Sequence, residues 1–349
     1  MGMRIFAKQI AVVSVVLLWG VLPLNAQHKQ RMRLVWWNVE NFFDPSNDSL
    51  KNDDDFTFEG SYKWNYKRFD SKKNNICKVV SSMGVDTVPI MVGLCEVENS
   101  WVLTQMCRNT PLRQYNYNFV HFDSPDKRGI DVALLYPVNA FNVLYSKPIP
   151  VVDSLDASFA TRDVLLVSGT VFGGDTLFLL LNHFPSKRGG AESEKRRILA
   201  AEVLKYTIDT IVQKHPDAMV VTMGDFNATP FDDCITKTLK VSPRREDWEQ
   251  NTLINLMSDF EVGEGTYKYQ GCWSVIDQIM ISKNLHPLWS AKCEVEAGKA
   301  NIYKPDFLLQ PDKKYLGNKL KPTYSGPIYK NGYSDHLPVY IDITTTDKH

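Results

Sequence analysis

Short apolar runs recur along the chain, rich in Val, Ile, Leu and aromatic residues. They are Leu34–Trp37, Pro89–Leu94, Val132–Tyr136, Val164–Phe172, Leu177–Leu181, Ala218–Met223, Val275–Ile281 and Leu337–Ile343. Most are nearly continuous in apolar character, which predicts strands buried on both faces. Residues 192–214 follow another rhythm. Ala201, Leu204, Ile208 and Ile211 are spaced by three, four and three, so they share one face of a helix. Tyr66–Met83 predicts a second helix. Residues 47–73 are charged and polar and read as a surface loop leading into that helix. Residues 284–333 scatter Pro, Gly and Tyr, and predict a hairpin with a substrate-facing loop. No repeat or low-complexity linker interrupts 27–349. We therefore expect one domain there, an α+β arrangement of packed sheets with helices outside.

Residues 1–26 are set apart. Arg4 and Lys8 are their only charges, an apolar stretch runs from Ile10 to Leu24, and Ala26 ends it. This pattern predicts a secretory signal peptide, hence an exported, periplasmic or extracellular chain. The stretch is short for a span and Pro23 breaks it, so no stable membrane anchor is expected. We expect a monomer. Composition narrows the classes further. Forty Lys+Arg balance 40 Asp+Glu, and 44% of residues are hydrophobic. That excludes collagen-like, coiled-coil and disordered chains. It also excludes a basic scaffold that grips polyanions by bulk charge, though not a nuclease whose site handles one or two phosphates. The six cysteines form no CxxC pair, which argues against a zinc cage. Cys272 and Cys293 flank the expected hairpin and are the one pair considered for a disulfide.

Polar residues follow, interrupt or precede these runs at six places. They are Asn38 and Glu40, Glu96, Asn182 and His183, Asp225 and Asn227, Asp277, and Asp335 with His336. Strand ends are rigid platforms, and clustered strand ends make a cleft. Carboxylate and carboxamide oxygens suit a hard dication: Mg²⁺, with Mn²⁺ or Ca²⁺ as alternatives. Mg²⁺ keeps several waters and takes one or two carboxylates plus phosphate oxygens, which fits a phosphate ester substrate. Asp225 and Asn227, like Asn38 and Glu40, are one residue apart and share a side of an extended segment. Asp335 and His336 are neighbours and suit separate tasks. His336 then needs a remote carboxylate, and Asp277 inside an apolar run is the natural one. Each piece also has an ordinary reading. GDFN makes a turn, Glu96 closes a strand, Asn182–His183 sits beside Pro185, and Asn38 and Glu40 serve as caps. Those readings would have to hold at six places at once.

Read in order, the segments are WNVENF (37–42), GLCEVEN (93–99), RGIDVALLY (128–136), LNHFPSKRGG (181–190), GDFNATP (224–230), IDQIMIS (276–282) and SDHLPV (334–339). This ordered set resembles the endonuclease/exonuclease/phosphatase superfamily, in its deoxyribonuclease I-like form and as an exported bacterial-type member. The resemblance spans Leu34 to about Ile343. It implies a four-layer α/β/β/α sandwich and Mg²⁺-dependent phosphodiester hydrolysis. By the same resemblance Glu96 is the principal metal ligand, with Asn38, Glu40 and Asp335 beside it. His183, Asp225, Asn227, Asp277 and His336 would be catalytic. Asp225 would orient water, Asn227 hold phosphate, and His336 pair with Asp277.

Arg128 matches a phosphate-contacting arginine; Asn182, Lys187 and Arg188 would complete the substrate contacts. The implied function is an exported nuclease acting on DNA or RNA. One alternative is a sphingomyelinase-like or other phospholipid or small-molecule phosphodiesterase, whose membrane-facing aromatic surface Tyr324, Tyr329 and Tyr333 would supply. The non-enzyme alternative is a catalytically silent scaffold of the same fold, ranked lower because every polar position is chemically competent.

Overall fold

Apolar runs buried on both faces need two layers of partners, and the computed structural model shows how they obtain them. It describes residues 30–84, 88–172, 174–250 and 252–345. The expected signal peptide, 1–26, lies outside the described residues. Among these, no helix is long and apolar enough to cross a membrane.

In chain order the strands are β1 Arg31–Phe42, β2 Met91–Val97, β3 Tyr117–His121, β4 Asp131–Pro137, β5 Asn142–Ile149, β6 Val164–Val171, β7 Asp175–His183, β8 Met219–Asp225, β9 Leu253–Asn255, β10 Tyr267–Tyr269, β11 Cys272–Ser274, β12 Asp277–Ser282, β13 Cys293–Val295, β14 Asn301–Ile302, β15 Leu309–Pro311, β16 Asn318–Leu320, β17 Tyr324–Ser325, β18 Ile328–Tyr329 and β19 Val339–Thr345. The α-helices are α1 Tyr66–Ser82, α2 Ser100–Arg108 and α3 Ala191–Lys214. One sheet runs β13-β19-β1-β2-β4-β3, with β14 also on β19; the other runs β5-β6-β7-β8-β12-β9. Each sheet has a parallel pair at its centre, β1–β2 and β7–β8. Parallel neighbours need a crossover, and α1 and α3 supply one each.

Alternation sorts the side chains into layers. Met32, Leu34 and Trp36 of β1 point inward and meet Leu177, Leu179 and Leu181 of β7 and Met219, Val221 and Met223 of β8. The other face of the first sheet packs Val35, Trp37, Val92 and Leu94 against α1 and α2. The other face of the second packs Leu180, Val220 and Met280 against Ala201, Leu204, Ile208 and Ile211 of α3. The result is the expected α/β/β/α sandwich. The sheets close tightly at Gly93, where a Cβ would lie 2.9 Å from the Trp36 ring and 3.2 Å from Leu181.

Four strands run further than their apolar runs predict. β1, β2, β7 and β8 include the polar residues at their ends, because those residues still occupy ladder positions. β5 and α2 gave no clear apolar pattern: β5 is an edge strand with no fully buried residue, and α2 has only nine residues. All six cysteines are free, with Cys272 exposed and Cys293 buried, so the considered disulfide is not formed. Tyr324, Tyr329 and Tyr333 are half-buried and spent on packing. The Tyr324 ring lies 4.6 Å from Tyr62, and Arg68 sits 4.5 Å over Tyr329. Phe307 lies 5.4 Å from Tyr333.

Candidate active site

Three strands of the second sheet end side by side. Register pairs His183 with Asp225 on β8, and Asp225 with Asp277 on β12. All three continue inward-facing positions, so they form a row aimed at the first sheet. His336 enters from the segment before β19. Its Nδ1 lies 2.7 Å from Asp277 Oδ2, and its Nε2 is 3.8 Å from Asp225 Oδ2. Trp36 of the first sheet donates Nε1–H to Asp277 Oδ1 at 3.1 Å, which fixes the carboxylate from the other side. Ser334 Oγ donates to the Asn38 carbonyl at 2.7 Å and accepts the His336 N–H at 3.0 Å. The Tyr267 ring rests 4.9 Å from the His336 ring.

The first sheet contributes Asn38 and Glu96. Asn38 Nδ2 donates to Asp225 Oδ2 at 3.0 Å and reaches Glu96 Oε1 at 3.4 Å. Strict alternation would send Glu96 to the helix side, because Leu94 packs there. Instead the β2–β4 register shifts between Cys95 and Val97, and Glu96 takes φ +61°. This bulge turns Glu96 into the cleft. A non-glycine residue held there costs about 1–3 kcal/mol, a strain found at functional sites. The Asn41 N–H donates to Glu96 Oε2 at 2.9 Å, and Arg128 lies 3.7 Å from the same oxygen. His183 Nε2 is 4.0 Å from Glu96 and 3.7 Å from Asp225.

Electrostatics divide the two histidines. Burial opposes charge on His336, but Asp277 and Asp225 outweigh it and hold the ring well above its ordinary pKa. His183 is held well below by burial, then by Arg162, Arg128 and His336. One imidazole is therefore charged and the other neutral. Burial pushes Asp225 up to about 7, against the opposing pull of His336. Asp335 is also raised, by burial and then by Glu96, while His336 and Lys72 oppose the rise.

Several expected residues occupy other roles. Asn182 is one position out of phase with His183 and faces the helix side of the sheet. Its Nδ2 donates to Thr222 Oγ1 at 2.7 Å and to the Leu180 carbonyl at 3.0 Å, so it is not a substrate contact. Glu40 does not join the ligand set: its Oε2 accepts the Thr323 N–H at 2.6 Å and lies 3.8 Å from Lys72 Nζ. Asn38 presents its amide nitrogen, not its oxygen, because Oδ1 accepts the Glu40 N–H at 2.9 Å. It bridges two carboxylates and is not placed as a metal ligand. Lys187 is tied to Asp232 at 2.8 Å, which weakens its claim on phosphate.

Arg128 is half-exposed beside Glu96 and hydrogen-bonds Asn41. Arg188 is exposed, and its charge acts on Tyr267. Asn227 follows Asp225 with φ +45°; its N–H donates to Asp225 Oδ1 at 2.9 Å and its Nδ2 to the Phe184 carbonyl at 3.0 Å. Trp36, Tyr267, Arg162 and Lys72 were not among the expected site residues. Arg162 pins the exit of β7 through the Phe184 carbonyl at 2.7 Å and the His183 carbonyl at 3.2 Å.

The donor set fits a hard dication. Glu96 and Asp335 would offer carboxylate oxygens, and burial first, then neighbouring carboxylates, raises Asp335 and Asp225, so negative charge is crowded and costly here. A cation relieves that crowding. Asp225, Asp277 and His336 also lie close enough to hold an ion. There, however, Asp277 already accepts from both Trp36 and His336, which is a proton-holding arrangement.

The endonuclease/exonuclease/phosphatase family model matches residues 33–345. Among solved structures, the human Nocturnin catalytic domain with bound sulfate is similar at TM-score 0.53 and 16% identity, over 91% of this chain and 98% of that one. The D. rerio TDP2 complex with single-strand DNA product is similar at TM-score 0.53 and 14% identity, over 90% and 98%. The Bacteroides thetaiotaomicron VPI-5482 mannosyl-6-phosphatase is similar at TM-score 0.54 and 13% identity, over 89% and 99%. At these identities the likeness shows a shared fold. No curated protein sequence matches the chain. A match over 33–345 means that the chain belongs to the endonuclease/exonuclease/phosphatase family, typically divalent-metal-dependent hydrolases of phosphoric ester bonds, and is an enzyme of that class.

Proposed function

We propose that this chain is a Mg²⁺-dependent phosphodiesterase that cleaves nucleic acid by in-line attack of water. The observation that carries the reading is the His183–Asp225–Asp277 row, set against Glu96 from the other sheet. Asp225, raised to about 7, is tuned to take a proton near neutral pH. The backbone N–H of Asn227 and Nδ2 of Asn38 hold that carboxylate in place while it orients the attacking water. His336 carries its proton toward the cleft on Nε2 and bonds the phosphoryl oxygen as charge develops there. Arg128 reaches a neighbouring phosphate oxygen from its half-exposed position. Glu96 and Asp335 would hold the ion. When bound, that ion supplies neutralisation of charge on the phosphoryl and leaving oxygens.

Nucleic acid is favoured over lipid because the three late-loop tyrosines pack within the fold. The neighbouring TDP2 fold holds a DNA product, which supports the same direction. The test compares a single-stranded oligodeoxynucleotide, RNA, sphingomyelin vesicles, bis(p-nitrophenyl) phosphate and p-nitrophenyl phosphate, each with Mg²⁺ and with chelator. Diester and nucleic-acid cleavage that exceeds monoester hydrolysis and vanishes with chelator is expected. Preference for the monoester, or activity indifferent to chelator, contradicts the reading.

A further inference from the structure

Lys72 lies on α1, three residues after Phe69 and four before Ile76, on the buried stripe of the helix. Its side chain is wholly inaccessible. Nζ donates to Thr323 Oγ1 at 2.5 Å and to the Tyr333 carbonyl at 2.7 Å, and sits 3.8 Å from Glu40 Oε2. Glu40 in turn accepts the Thr323 N–H at 2.6 Å. The ammonium therefore ties together α1, the end of β1 and the segment 323–333. None of the steps above uses it.

Burying an ion pair carries a desolvation penalty, and well-packed apolar side chains in place of both partners are often as stabilising. Stability alone therefore gives little reason for a lysine here. The segment it grips gives a better one. Residues 321–336 carry only the two-residue strands β17 and β18, with left-handed turns at Gly326 and Asn331. Two backbone bonds link its arms, Lys330 N–H to the Thr323 carbonyl at 2.8 Å and Tyr333 N–H to the Lys321 carbonyl at 2.7 Å, so where it sits depends on its ties to the rest of the fold. Yet it delivers Asp335 and His336, and the Tyr333 carbonyl is two residues before Asp335. Asn75, also on α1, adds a second tie through the Gly332 carbonyl at 2.8 Å.

We propose that Lys72 is a positioning residue for the divalent-cation site: by fixing Thr323 and Tyr333 against Glu40, it sets Asp335 where Glu96 can share an ion with it. The same contact keeps Glu40 out of the ligand set. The inference rests on the metal reading under Proposed function.

The experiment measures Mn²⁺ affinity by isothermal titration calorimetry, with kcat and KM for bis(p-nitrophenyl) phosphate, on the full chain. The variants are Lys72→Met and Thr323→Val, each checked by circular dichroism. Lys72→Met should weaken Mn²⁺ binding by about tenfold or more, as loss of an outer-shell partner does. Its kcat at fixed low Mn²⁺ should fall, recover with excess Mn²⁺, and leave KM little changed. Thr323→Val keeps the lysine and removes one partner, so it should give a smaller loss of the same kind; it carries the test should Lys72→Met not fold. Folded variants that bind Mn²⁺ as wild type does overturn the proposal, even if they melt earlier. Wild type that binds no Mn²⁺ overturns the metal reading, and this inference with it.

Discussion

His336 keeps its proton because two carboxylates face it, and the pairing has a measurable consequence. Asp277→Asn removes the charge nearest Nδ1 and lowers the His336 pKa. The charged ring is the working form, so activity falls as pH rises through that pKa. The alkaline limb of the kcat/KM profile should move to lower pH in Asp277→Asn, with a rate loss of about 10²–10⁴-fold. An unmoved limb contradicts the assignment. At this scale Asp277 was legible, because a carboxylate inside an apolar run demands a partner. Glu96 was legible as a residue, but its direction was not: alternation points it the wrong way, and only the bulge corrects it. Asn182 failed by the same rule, one position from His183 and hence on the other face. Lys72 has a signal of its own in the sequence, a lysine between Phe69 and Ile76 on a buried helical stripe.

Between elements, the β7–β8 pair is the platform for His183 and Asp225, and the strands approach closely at Gly224. A Cβ at Gly224 would lie 2.6 Å from the Asn182 carbonyl oxygen and 2.7 Å from its Cβ. Backbone cannot move aside cheaply, so Gly224→Ala should destabilise the fold by about 1–3 kcal/mol, read from urea denaturation. An unchanged midpoint would show that the strands tolerate more separation. The long apolar strands and α3 were legible because their burial follows one period throughout. β5 was not, since an edge strand buries too little to show one. A hairpin was expected within 284–333, and two stand there, β15–β16 and β17–β18; strands of two or three residues are too short to show a period, so neither could be placed.

For the whole molecule, the crowded carboxylates make metal-free stability depend on pH. Burial pushes Asp225 up to about 7 and Glu98 up to about 9, above ordinary values near 4. The folded chain then holds protons that the unfolded chain has released, and that advantage is lost as pH rises through the folded values. His336, also raised, has the same sign. His183 has the opposite sign, but its contribution is complete above about pH 6.5. Metal-free Tm should therefore fall from about pH 6.5 to 8, and Mn²⁺ should raise it more at the upper end. A flat or rising profile contradicts this charge balance. The sandwich was legible from the order of the segments, whereas the meeting of its two sheets at one site was not visible in any single motif. The most direct test of that convergence is a double-mutant cycle on kcat/KM with Mg²⁺, using Glu96→Gln from the first sheet and Asp225→Asn from the second. If both act on one reacting phosphate, the double variant loses about as much as the worse single variant. Losses that multiply independently, or full activity in either single variant, would contradict the account.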